Sequence, residues 1–356
     1  MNITPMEVTL PNWGRYNEVT QSILDAIGNT PLVKLNKVAG EIEAKIYVKL
    51  EWYSPTGSLK DRIYHRMITE AVKNGVLKPG MEILETSTGN AGIACAFIGL
   101  LLGYPVTIIL PEGMSSERAK IIKAYGATVI YTPGAESDVD LCLKKQAELI
   151  AQNPDKYWVP DQYGNLDNIM AHYSTTGPEI WEQTKGKVNA FIATQGTGGT
   201  LTGVGKYLRE RNPEILLFAG EPSEAPMLAR RQWGSHRIEG IGDGFVSRNL
   251  DVSLLNGIFL STSNEAITMA RRLSLEEGLF CGISSGANVV GAIKVAKKHP
   301  ELKVITTMLN DTGQRYFSTP LCDVEKKLEI PDREHPFDSY TLAQLDKYQA
   351  NWEVIE

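Results

Sequence analysis

Residues 91–110 read AGIACAFIGLLLGYPVTIIL, twenty consecutive positions without a charge. As one helix the run would be long enough to cross a bilayer, so the fold class depends on whether it is one element or two. Gly103-Tyr104-Pro105 breaks it. Proline cannot continue a helix, and the residues after it are β-branched. The reading is therefore a buried helix ending at Gly103 followed by a core strand from Val106 to Leu110, not a membrane span.

The same alternation runs along the chain. KIYVKLE (45–51), VTIIL (106–110), TVIYT (128–132), VNAFIAT (188–194), ILLFAG (215–220) and KVITTML (303–309) are short and apolar, as strands covered on both faces are. Between them lie helical patterns such as AVKNGVL, SERAKIIKAYG, DLCLKKQAELIAQ, LTGVGKYLRERN, NEAITMARRLSLEEG and GANVVGAIKVAKKH. Strands alternating with helices imply an α/β fold with parallel-rich twisted sheets flanked by helices.

Composition limits the function. The chain has 356 residues, 42% hydrophobic and 22% charged, enough for two domains or one large one. A net charge of -6 argues against nucleic-acid binding, which needs clustered Lys and Arg. The four cysteines form no CxxC pair and the five histidines have no ligand spacing, so reduced thiols, a cytoplasmic setting and no metal are expected. The N-terminal residues lack a basic start followed by an apolar run, so they do not read as a secretory signal.

In open α/β sheets ligands sit beyond the carboxyl ends of strands, and four loops there carry unusual residues. GTGGT (196–200) offers converging backbone N–H groups at a helix start plus the hydroxyls of Thr197 and Thr200, a receptor for phosphate. ETSTGNAG (85–92) sets Ser87, Thr88, Gly89 and Asn90 at the mouth of the apolar helix, suited to a carboxylate. GISSGAN (282–288) and GIGDGF (240–245), the latter with Asp243, are also rich in small residues. A fifth stretch, YSPTGSLKDR (53–62), places Lys60 in the first turn of a helix, where the dipole disfavours an ammonium and favours a nucleophilic amine. A phosphate cradle, a carboxylate receptor and such a lysine together suggest pyridoxal phosphate acting on an amino acid.

With IGNTPLVKLNKV (27–38), LPEGMSSERAKIIKAYGATVIYTPG (110–134), TTGPEIWEQT (175–184) and NDTGQRY (310–316), these motifs occur in one order from about Ser22 to Leu321. On them the chain resembles the cysteine synthase and cystathionine β-synthase group of fold type II pyridoxal phosphate enzymes. The resemblance implies that Lys60 holds the cofactor and serves as the base, that Asn90 bonds its phenolic oxygen, and that Gly196, Thr197, Gly198, Gly199 and Thr200 hold its phosphate. It further implies that Ser87, Thr88 and Gly89, with Gln162 of DQYGN, grip the substrate carboxylate, and that Ser284 faces the pyridine nitrogen. A hydroxyl there makes the ring a milder electron sink than a carboxylate would, suiting replacement at the β-carbon through an aminoacrylate.

The implied function is β-replacement on a serine- or cysteine-derived amino acid, with a deaminating lyase or threonine synthase-like enzyme as the alternative. A small-molecule substrate and a homodimer come with the resemblance, which also implies a large cofactor domain (1–52 and 163–330), a small domain (53–162) and a tail (331–356). That tail is too short for a regulatory domain and is expected, from about Asp323, to wrap the surface or be partly mobile. The chain departs from the family pattern in reading STGNA rather than TSGNT, and in carrying Asp243 where a small uncharged residue is usual. Its carboxylate would polarise the incoming nucleophile or hold the amino group of a second amino acid, pointing to exchange of a β-substituent with hydrogen sulfide as substrate or product.

Overall fold

The computed structural model describes residues 19–87, 89–134, 139–323 and 335–356. Its strands are β1 (Leu32–Lys34), β2 (Lys45–Leu50), β3 (Glu82–Thr86), β4 (Val106–Pro111), β5 (Thr128–Thr132), β6 (Tyr157–Trp158), β7 (Ala190–Thr194), β8 (Leu216–Pro222), β9 (Gly257–Ser261), β10 (Val304–Leu309) and β11 (Glu353–Ile355). They form a seven-stranded sheet in the order β1-β2-β10-β7-β8-β9-β11 and a four-stranded sheet in the order β5-β4-β3-β6. Every pairing is parallel except β1 with β2.

Parallel strands need crossover helices, and helices on both faces leave the central strands no wet side. The core shows the consequence. Along β7, Ala190 and Ile192 belong to one hydrophobic cluster with Ile46, Phe259 and Ile305, while Phe191 and Ala193 belong to another with Leu217, Ile258 and Met308. Alternate side chains thus leave opposite faces of one sheet into two separate cores. Each fully buried aliphatic or aromatic side chain contributes about 1.5–3 kcal/mol, so the sheet is anchored from both sides.

The uncharged run divides as its breaker requires. Asn90–Leu101 is helical and buried from Ala91 to Gly99, and β4 follows the Gly103-Tyr104-Pro105 turn. Packing on the sheet is close: a Cβ at Gly92 would stand 2.9 Å from Ile108 and one at Gly99 2.7 Å from Val106. Among the described residues no helix is long and apolar enough to cross a membrane.

The C-terminal residues do more than wrap the surface. A helix, Ser339–Tyr348, is capped by Asp338, and β11 extends the larger sheet in register with β9. Thr341 Oγ1 accepts from the Val246 amide at 2.9 Å, and His335 stacks on Trp233, so this segment leans on the chain on either side of Asp243.

Candidate active site

The segment before Lys60 is held in place by backbone pairing. Leu59 N donates to Asn310 O at 2.9 Å, Thr312 N donates to Gly57 O at 3.2 Å, and Ser58 forms a bridge with Asp311. The helix Lys60–Lys73 then begins on Lys60 itself, so the side chain leaves from the first turn as expected. Two residues on, Arg62 is buried and clamped between Glu51 and Glu179, with Nε 2.7 Å from Glu51 and Nη1 2.6 Å from Glu179. Glu179 also pairs with buried Lys49 at 2.7 Å and accepts from Asn29 N at 2.8 Å. One network therefore joins the IGNTP, KLE, KDR and TTGPE stretches and fixes the helix that carries Lys60.

Lys60, Ser87, Gly89, Asn90, Gln162, Thr197, Asp243 and Ser284 line a single cleft. Thr88 lies outside the described residues. Burial lowers the Lys60 pKa, against the opposing pull of Asp243, Asp311 and Glu85. Burial raises Asp243 to about 6, against the Lys60 charge and a hydrogen bond from Tyr163. Glu85 is raised to about 7 by burial while accepting from Tyr64 Oη at 2.7 Å and from Thr86 N at 2.8 Å. An amine poised toward its neutral form among partly protonated carboxylates is suited to moving protons.

The glycine loop stands at the start of the helix Gly199–Arg209. Gly198 has φ +77°, and a Cβ there would overlap Leu250, while one at Gly199 would overlap Asn168. Bare backbone is therefore required. Thr197 Oγ1 accepts from Asn168 Nδ2 at 3.1 Å, and Ser247 donates to Thr197 O at 2.7 Å. Thr200 pairs at 3.1 Å with His172, whose pKa is held well below the usual range, first by burial and then by Arg62 and Lys60. Gly196 packs against the GIGDGF loop: a Cβ on Gly196 would lie 2.7 Å from Gly240 O and 3.8 Å from Asp243.

The ETSTGNAG loop contributes Ser87, Gly89 and Asn90 to the same cleft. Ser87 Oγ accepts from Gly89 N at 2.9 Å and Gly92 N at 2.8 Å, which shapes the turn. A Cβ at Gly89 would overlap the buried Arg118 side chain, whose Nη1 is 2.6 Å from Glu239. Gln162 donates to Thr86 O at 3.2 Å, and Asn90 donates to Asp311 at 2.6 Å while its oxygen accepts from Arg315.

This arrangement fits pyridoxal phosphate. A lysine of depressed pKa, Thr197 of the glycine loop at a helix N-terminus and the hydroxyl of Ser284 line a common cleft, as a phosphorylated aromatic aldehyde requires. Two of the four loops do not directly follow strands. GISSGAN follows the helix Ser263–Glu277 and opens the helix Ile283–Lys298, and GIGDGF belongs to irregular chain after the short helix Met227–Arg230. Sequence reasoning did not single out Arg118, Tyr163, His172, Glu239 and Asn310. Four of these line the cleft, and His172 lies behind it, paired with Thr200 and Thr176. Arg118, Tyr163 and Asn310 lay inside quoted motifs, but nothing local marked their roles.

The family model described as pyridoxal-phosphate dependent enzyme matches residues 23–311. Cysteine synthase 3 of Caenorhabditis elegans is 46% identical over 300 residues, covering 83% of this chain and 88% of the relative. Among solved structures, a hydrogen sulfide-producing enzyme from Fusobacterium nucleatum superposes with TM-score 0.80 at 39% identity, covering 84% of this chain and all of the other. O-acetyl serine sulfhydrylase isoform 3 from Entamoeba histolytica gives 0.82 at 37% identity, covering 97% and 99%.

Proposed function

Because the chain belongs to the family of pyridoxal-phosphate dependent enzymes, in its cysteine synthase group, we propose that it exchanges the β-substituent of a serine- or cysteine-derived amino acid with hydrogen sulfide as substrate or product. The observation that carries this reading is the meeting of Lys60 and Asp243 in one cleft between the phosphate cradle and the carboxylate loop. Bound there, pyridoxal phosphate supplies an electron sink that lets an α-proton and a β-substituent leave.

The chain's own residues do the remainder. Gly196, Thr197, Gly198, Gly199 and Thr200 anchor the phosphate, with Asn90 and Ser284 aligning the ring. Ser87, Thr88, Gly89 and Gln162 receive the substrate carboxylate. The Lys60 amine, kept toward neutrality by burial, removes the α-proton at Nζ. The Asp243 carboxylate takes the proton of an incoming water or thiol, steered by the Tyr163 hydroxyl. The sheets support a division into a small domain (53–162) and a large one (1–52 and 163–330) with the cleft between them, and a cytoplasmic homodimer is the assembly expected of the group.

Incubation with cysteine and quantification of products tests the reading. Sulfide and serine in equal amounts are expected. Pyruvate and ammonia in place of serine would assign the chain to the deaminating lyases.

A further inference from the structure

Ser284 does not stand alone at the cleft wall. Asn310, the residue after β10, donates from Nδ2 to Ser284 Oγ at 3.0 Å, and both residues line the cleft with Lys60. The direction of that bond matters, because an amide turned the other way would accept the hydroxyl proton instead.

The direction is fixed by groups that have no choice of role. The Thr194 backbone N–H can only donate, and it meets Asn288 Oδ1 at 2.6 Å; the Met308 carbonyl can only accept, and it meets Asn288 Nδ2 at 2.8 Å. The Asn288 amide is thereby oriented. Its nitrogen also faces Asn310 Oδ1 at 3.4 Å, which turns Asn310 so that nitrogen faces Ser284. The Asn310 backbone is pinned too, with N donating to Ser285 Oγ at 2.9 Å and O accepting from Leu59 N at 2.9 Å, directly before Lys60.

We propose that Asn310 is a positioning residue that sets the polarity of the Ser284 hydroxyl, making it a hydrogen-bond donor into the cleft and so selecting an unprotonated ring nitrogen on the cofactor. Ser284 Oγ already accepts from Asn310, and no described residue accepts its proton. A pyridinium N–H would need an acceptor, and satisfying it would strand a buried hydroxyl proton. An unprotonated nitrogen accepts that proton directly. The inference rests on the cofactor reading above and adds the chain Thr194–Asn288–Asn310–Ser284 as the device that keeps the ring a mild electron sink.

The test is the 15N resonance of ring-labelled pyridoxal phosphate in the holoenzyme at pH 8, in wild type, Asn310→Asp, Ser284→Ala and the double variant. An aspartate would accept the Ser284 proton and turn an oxygen lone pair toward the ring. The expected wild-type resonance is that of unprotonated pyridine. In Asn310→Asp it shifts toward the pyridinium value, and that shift disappears in the Ser284→Ala background. A pyridinium resonance in wild type would overturn the proposal even if no variant folds. So would an unmoved resonance in Asn310→Asp, or the same shift without Ser284, which would mean that the aspartate acts as a bare charge. Failure of the cofactor reading is distinct, because no protein-bound resonance would then appear.

Discussion

Arg62 Nη1 lies 2.6 Å from Glu179 Oε1, joining the helix that begins at Lys60 to the helix Gly177–Gln183 through a contact in which Arg62 is buried. Burial alone would raise Glu179, but Arg62 and Lys49 hold it well below its ordinary value of 4.5. A depressed carboxylate stabilises the fold fully above the unfolded pKa and loses that contribution progressively as pH falls from there through the folded pKa. Glu179→Gln leaves Arg62 and Lys49 short of a buried counter-charge, so we predict a loss of about 3 kcal/mol or more at neutral pH. Chemical denaturation between pH 7 and 3 checks this: the variant is expected to show a smaller decline below about pH 4.5.

If the proposed function holds, Asp243 should set the acid limb of turnover. With its pKa raised to about 6, it is protonated as pH falls through that value and can no longer accept a proton. Sulfide release from cysteine should decline below about pH 6 in the wild type. Asp243→Asn should be on the order of 100-fold slower and lack that limb. Unchanged turnover in the variant would remove Asp243 from the chemistry.

Two glycines should separate cofactor from substrate. Gly198→Ala meets Leu250 at a φ of +77°, so it should weaken pyridoxal phosphate retention by about tenfold or more. Gly89→Ala meets Arg118 beside the carboxylate loop, so it should raise KM for the amino acid while the cofactor stays bound. Equilibrium dialysis against the cofactor and steady-state kinetics read the two effects independently.

β-branched and apolar strands were readable from composition: β5 falls on the expected residues 128–132 and β10 begins one residue later than expected, whereas β9 (GIFLS), buried throughout, was missed. β3 was not read as a strand, because EILET carries two glutamates, Glu82 and Glu85, among its five residues, and Glu85 is buried only because Tyr64 and the Thr86 amide satisfy it. β11 was hidden for a different reason. Three residues have no periodicity, and their strand character comes from pairing with β9.

The site was legible where a short glycine-rich loop was expected to open a helix, as GTGGT does at Gly199–Arg209. It was illegible where a role depends on direction or distant partners. Asn310 counts only because Asn288, held by Thr194 and Met308, orients it, and Arg118 counts only because Glu239 comes from another part of the chain.

Borohydride reduction of the pure holoenzyme, followed by proteolysis and mass mapping of the cofactor-labelled peptide, tests the central claim most directly. The account predicts a single label on the Lys60 side chain and none in Lys60→Ala. A label on any other lysine, or a wild-type protein that takes up no label, would contradict it.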